Sequence, residues 1–160
     1  MEKIFVISDL RLGHIGMALR RGFFDCVQHD SQIIDEWNSV ITQKDKVIIL
    51  GDIAFNKQGL YRFMELNGEK RVVLGNHDHS EMVKFLVNNG IKCGGVFEHG
   101  GDVFTHIPIH ETQFDSRWKR NFHGHVHDRV SSLNSDKRYI NVCVDVIGFI
   151  PLDINKTAFN

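Results

Sequence analysis

The sequence predicts a mixed α/β sandwich built from two sheets. Two observations carry this. In the first half, short apolar runs rich in Val, Ile, Leu and Phe alternate with helical periodicity in the order β-α-β-α-β. After Gly90 the pattern turns to strands and Gly-containing turns. No linker, repeat or low-complexity stretch interrupts the 160 residues, so 1–160 is expected to form one domain.

Lys3 to Ser8 reads as the first strand, with Asp9 just past its end. Arg11 to His29 contains Gly13, Gly16 and Gly22 and no sustained period, which predicts a long functional loop with room for one helical turn. Asp30 is placed to cap a helix running to about Thr42, with Ile33, Ile34, Trp37 and Ile41 on one face. Val47 to Leu50 is a second strand ending at Gly51-Asp52, and Gly59 to Leu66 reads as a helix stopped by Gly68. Arg71 to Leu74 is a third strand ending at Gly75-Asn76. Ser80 is placed to cap a further helix, closed by Asn89-Gly90. Val96-Phe97 and Val103-Phe104 flank H-G-G-D, a hairpin signal. Phe122 leads into Gly124-His125-Val126-His127, and Tyr139 to Val146 suits a last strand.

Composition excludes several classes. A hydrophobic share of 42% and a charged share of 24% describe an ordinary soluble globular chain. The net charge of −1 gives no global pull toward nucleic acid or an anionic membrane. No apolar run approaches the roughly 20 residues needed to span a bilayer. The start, M-E-K-I-F-V-I-S-D, lacks the apolar core and cleavage site of a signal peptide. Cys26, Cys93 and Cys143 are widely spaced and odd in number, which argues against a disulfide framework or a zinc knuckle. They are expected to be buried, reduced thiols, and the chain to be cytoplasmic.

Histidine is the unusual count: ten in all, six of them between His99 and His127. Five short patches gather most of the metal-binding side chains. They are Asp9 in I-S-D-L-R, Asp52 in L-G-D-I, Asn76-His77-Asp78 in L-G-N-H-D, His106 in T-H-I-P, and His125 with His127 in G-H-V-H. Singly, each has an ordinary explanation as a turn residue, helix cap or core histidine. Together they supply oxygen and imidazole groups from separate strand ends, where an α/β scaffold gathers its chemistry. The set contains no Cys, which points to Mn²⁺ first, with Fe, Zn²⁺ or Ni²⁺ also compatible. A carboxylate such as Asp52 can bridge two ions, an arrangement suited to phosphoryl hydrolysis.

This order of motifs resembles the calcineurin-like metallophosphoesterases, whose pattern runs D-x-H, G-D, G-N-H-[DE], H and G-H-x-H. L-G-H after Asp9, Trp37-Asn38 in the first helix, T-H-I-P and V-C-V-D-V are similar to short bacterial and phage members, so the likeness covers Met1 to Pro151. It implies a four-layer sandwich of two mixed β-sheets flanked by helices. It implies Asp9, Asp52 and His127 on one ion and Asp52, Asn76, His106 and His125 on another, with Asp52 bridging. His77 would stand beside the scissile phosphate as acid or base, oriented by Asp78. The implied reaction is hydrolysis of a phosphate ester, diester before monoester, by a hydroxide held between two divalent ions. The implied partner is a phosphate-ester substrate, including nucleotides.

One departure stands out. The family's D-x-H is Asp9-Leu10-Arg11 here, and a guanidinium offers no lone pair to a metal. Two unit charges 4 Å apart at an effective dielectric of about 20 repel by roughly 4 kcal/mol, and a divalent partner about doubles that. Arg11 is therefore expected to point away from the metal or toward a phosphate, where it would act as a catalytic clamp. His14 is a candidate accessory group, and Arg21, beside Arg20, a candidate grip on substrate. Arg117, Lys119 and Arg120 around Trp118 form a thin basic cluster that leaves nucleic acid open. Loss of the D-x-H histidine also admits the other class, an interaction scaffold with weak or no catalysis.

Overall fold

The computed structural model describes residues 3–114 and 117–157. Met1, Glu2 and residues 158–160, the ends of the expected domain, lie outside the described residues. The fold is α/β: two mixed sheets flanked by helices. Strands β1 (Ile4–Ile7), β2 (Lys46–Ile49), β3 (Glu69–Val73) and β4 (Lys92–Gly94) run parallel, and β9 (Leu152–Asp153) joins β1 antiparallel, giving the order β4-β3-β2-β1-β9. The second sheet contains β5 (Phe97–His99), β6 (Asp102–Thr105), β7 (Arg120–His123) and β8 (Tyr139–Asn141), in that spatial order, antiparallel only at β5–β6.

The period-two rule shows where each face goes. In β1, Phe5 and Ile7 face a core shared with the helices, while Ile4 and Val6 face the second sheet. In β2, Val47 and Ile49 take the helical side, and Ile48 with the following Leu50 the other. Phe104 and Phe122 stack between the sheets with ring centroids 5.1 Å apart. The centre of the first sheet is thus buried on both faces, which is why Ile4–Ile7 of β1 and residues 47–49 of β2 are apolar at consecutive rather than alternate positions.

The helices are α1 (Ile15–Arg20), α2 (Cys26–Val40), α3 (Lys57–Met64), α4 (Ser80–Asn88) and α5 (Val144–Ile147). Trp37, Ile33 and Ile34 of α2, Leu60 and Phe63 of α3, and Met82 and Leu86 of α4 fill the first core. Helix α2 begins earlier than expected. Asp25 caps it by accepting from the Gln28 amide at 2.8 Å, whereas Asp30 is buried within it. Its Oδ2 accepts from Gly13 N at 2.9 Å instead, pinning the preceding loop. The long loop holds one six-residue helix, α1, and Asn56, not Gly59, sets the start of α3 by accepting from Gly59 N. Ser80 is the first residue of α4, and the cap position falls on His79. The last expected strand stops at Asn141 and gives way to α5. Cys143 is buried, but Cys26 and Cys93 are only partly so. Among the described residues no helix is long and apolar enough to cross a membrane.

Candidate metal centre

The parallel strands β1, β2, β3, β6 and β7 all end on one side, and the loops after them carry the five patches. Among the described residues, the non-glycine residues with positive φ are Asp9 (61°), Arg11 (56°), Asp52 (52°), His125 (70°) and His127 (51°). Every one belongs to the candidate site. Such conformations cost of order 1–3 kcal/mol each and persist where surrounding contacts over-determine them, as at functional sites. Two glycines let the loops meet. A Cβ on Gly124 would come within 2.0 Å of Ser8 Oγ and 2.5 Å of Asp9 Oδ2, and one on Gly75 within 2.3 Å of Asp52 Oδ1.

Asp9, Asp52 and His106 bring ligand atoms within 4.8 Å of one another, all buried, a group that could hold a metal ion. The hydrogen bonds fix the tautomers. His106 Nδ1 lies 2.6 Å from the Leu50 carbonyl, which can only accept, so Nδ1 donates there and the neutral ring carries its lone pair on Nε2. That lone pair faces Asn76 Oδ1 at 2.9 Å and Asp52 Oδ2 at 3.6 Å, both acceptors, with His125 Nδ1 3.2 Å away. His125 Nδ1 is also 2.9 Å from Asn76 Oδ1. Burial and the nearby His106 lower the pKa of His125, favouring its neutral ring.

A second convergence adjoins the first. His127 Nδ1 sits 2.7 Å from Asp145 Oδ2 and donates to it, so the neutral ring turns the lone pair of Nε2 toward Asp9 Oδ1 at 3.7 Å. That Asp9 oxygen is buried without a hydrogen-bond partner. Its companion Oδ2 accepts from Ser8 Oγ, the His125 amide and Cys143 Sγ at 2.7, 2.9 and 3.2 Å. Acceptors turned toward one another, and an orphaned buried carboxylate oxygen, are what a bound cation would satisfy. The donor set of carboxylate, amide oxygen and imidazole fits a metal ion of hard or borderline character.

The structure brings all six expected ligand positions together, but it reassigns other residues. Asp78 does not steady the His77 ring. Its carboxylate accepts from the backbone amides of Asp52, Gly75 and Ile53 at 2.8, 2.8 and 3.1 Å, tying the second and third patches together. Burial raises its pKa, and those three amides oppose the rise. His77 is exposed, and its amide donates to Asp52 Oδ1 at 3.0 Å. Arg11 does not turn away from the site: Nη2 donates to Asp52 Oδ2 at 2.5 Å. His14 caps α1, its Nδ1 accepting from Met17 N at 3.2 Å, so that nitrogen is engaged within the fold. Burial, then Arg11, lowers its pKa.

Arg21 is a brace inside the fold, not a surface grip. Its five N–H directions meet Asp145 Oδ1 and Oδ2, the carbonyls of Asp9 and Leu10, and His29 Nε2, all within 3.1 Å. Arg20 pairs with Asp128 at the surface. Asp145, Ser8 and Cys143 are site residues that the motif reading passes over. Burial alone would raise the Asp145 pKa, but hydrogen bonds from His127 and Arg21 hold it well below the usual carboxylate range.

The fold and this cluster define an α/β protein with a buried Asp-Asp-His group suited to a metal ion. The chain belongs to the family of the uncharacterized protein MJ1445 of Methanocaldococcus jannaschii, to which it is 30% identical over 97% of its own length and 89% of that protein. It is 27% identical to the Gene 66 protein of Mycobacterium phage L5, over 92% of this chain and 89% of that one. No family model matches the chain. Among solved structures, the protein of unknown function AQ665 from Aquifex aeolicus superposes with a TM-score of 0.78 at 20% identity, over 98% of this chain and 97% of that one. The Pseudomonas putida nuclease MPE aligns with a TM-score of 0.52 at 16% identity, over 78% of this chain and 61% of the nuclease. A novel archaeal phosphodiesterase aligns with 0.50 at 22% identity, over 87% and 82%. These likenesses establish the fold.

Proposed function

We propose that this chain is a metal-dependent phosphoesterase of the calcineurin-like kind, acting on phosphodiesters in preference to monoesters. One observation carries the reading: His106 Nε2, Asn76 Oδ1 and Asp52 Oδ2 turn lone pairs toward one another beside the orphaned Asp9 Oδ1. Asp52, Asn76, His106 and His125 would hold one ion, and Asp9 and His127, with Asp52 shared, a second. Bound ions supply positive charge to the phosphoryl oxygens and acidify a water nucleophile. The names of two fold neighbours, a nuclease and a phosphodiesterase, agree with this reading.

The chain's own residues divide the remaining work. The buried floor of Asp9, Asp52, His106 and His127 rises to an exposed rim of Asn76 and His77. His77, held at the rim through the hydrogen bond from its backbone N–H to Asp52, gives a proton to the departing alkoxide. Asp78 fixes the loops that present Asp52 and Asn76. An open rim accommodates substituents on both sides of a phosphorus atom, which favours a diester, nucleotides included. A pure interaction scaffold has no use for five strained backbones gathered at one cluster. The test is a panel of aryl phosphodiester and aryl phosphomonoester with added Mn²⁺. A higher kcat/KM for the diester supports the reading, and a monoester preference reverses the substrate assignment.

A further inference from the structure

Arg11 and Arg21 make opposite use of the same fork. Arg21 is saturated, with every N–H direction spent on the fold. Arg11 is only 9% exposed, yet its Nε is buried with no partner among the described residues, and its ion pair with Asp52 Oδ2 is single-pronged, made from Nη2. It also sits at φ 56°, an uncommon conformation for a residue with a long side chain. A buried guanidinium with spare donors is built to receive a further acceptor.

The oxygen it holds matters. Asp52 Oδ2 is the atom that also faces His106 Nε2 at 3.6 Å, while Asp52 Oδ1 is occupied by the His77 amide. The Asn76-His106-His125 group has three donor atoms of its own within 3.2 Å. The Asp9-His127 group has two, and among the described residues Asp52, grouped with Asp9, is placed to add a third. Arg11 therefore stands in the way of one ion more than the other.

Resting on the phosphoesterase reading above, we infer that Arg11 is an anion-released latch on Asp52. In the resting chain its guanidinium holds Asp52 Oδ2 and keeps the Asp9-His127 position weak. A tetrahedral oxyanion entering over the rim offers two oxygens to a planar fork, a better partner than one carboxylate oxygen. Arg11 moves onto that anion and frees Asp52 to share a second cation. Occupation by the anion and by the second ion are then coupled, and by linkage each strengthens the other.

The test is calorimetric titration of the full chain with Mn²⁺, with and without sulfate as a tetrahedral anion that is not hydrolysed. Wild type is expected to bind one ion without sulfate and to tighten the second at least about tenfold with it. Arg11→Ala, and independently Arg11→Gln, are expected to bind the second ion at least about tenfold more tightly than wild type without sulfate. In both variants the sulfate effect should shrink below about threefold. Two equal sites in sulfate-free wild type overturn the latch, as do variants whose second site responds to sulfate as wild type does. In those cases bound metal leaves the phosphoesterase reading standing. If no Mn²⁺ binds to any of the three proteins, both inferences fall.

Discussion

Asp145 Oδ2 lies 2.7 Å from Nδ1 of His127, and the same carboxylate is gripped by Arg21. Arg21 also holds the carbonyls of Asp9 and Leu10, so one side chain ties the first loop to the last candidate ligand. Carboxylate partners of ligating histidines set the tautomer, and their loss typically costs about 10–100-fold in metal affinity. Asp145→Asn is predicted to weaken the Asp9-His127 position by that range while sparing the Asn76-His106-His125 position. Mn²⁺ titration of the variant checks this, and equal weakening at both positions would show that the carboxylate supports the whole site.

His77→Ala is predicted to lower turnover by roughly 10²–10⁴, the usual worth of a general acid or base. Metal content should not change, because the exposed ring is not among the converging groups and the backbone N–H hydrogen bond to Asp52 survives the substitution. Turnover and metal analysis on one preparation decide it. Loss of metal with an intact rate per bound ion would make His77 a ligand.

Gly124→Ala is predicted to damage the site more than the fold. Its Cβ would collide with Ser8 Oγ and Asp9 Oδ2, two atoms already hydrogen-bonded to each other at 2.7 Å. Overpacking of this kind costs about 1–3 kcal/mol. Chemical denaturation should show that loss, and Mn²⁺ affinity should fall with it. An unchanged affinity would mean that Asp9 does not need its present position.

Much of the site was legible because its residues punctuate strands. A buried apolar run followed at once by Asp9, Asp52 or Asn76 is visible in one dimension, and the glycines beside them announce tight approach. Asp145 was not legible. It lies within V-C-V-D-V, which reads as an alternating strand, and only its partners His127 and Arg21 reveal its role. Arg21 reads as a grip on substrate because a sequence cannot show that its fork meets carbonyls some eleven residues back. Asp30 read as a helix cap because any Asp before an apolar stripe does. Asp25 won that role, and Asp30 turned inward to Gly13 N and His29. Strands β4 and β9 are three and two residues long and exist by pairing with β3 and β1, so no local pattern marks them.

Cys143 tests the burial at the back of the centre. Burial, then the neighbouring Asp9, pushes its thiol pKa up, so the thiolate is scarcer than in an ordinary cysteine at any given pH. Folded protein treated with iodoacetamide at about pH 8 should be modified at the partly exposed Cys26 and Cys93 before Cys143, since the thiolate is the reacting form. Peptide mass spectrometry reads the order. Cys143 modified first would place it in an open, thiolate-stabilising environment, contrary to its contacts here.

The central claim is that the cluster of Asp9, Asp52, Asn76, His106, His125 and His127 is a metal site that hydrolyses phosphate esters. The direct measurement is hydrolysis of an aryl phosphodiester by wild type and Asp52→Asn after chelation, before and after Mn²⁺ is returned. The account predicts that chelated wild type is inactive, that Mn²⁺ restores it, and that Asp52→Asn recovers neither full metal content nor activity. Turnover that survives chelation, or wild type that binds Mn²⁺ and cleaves nothing, would contradict it.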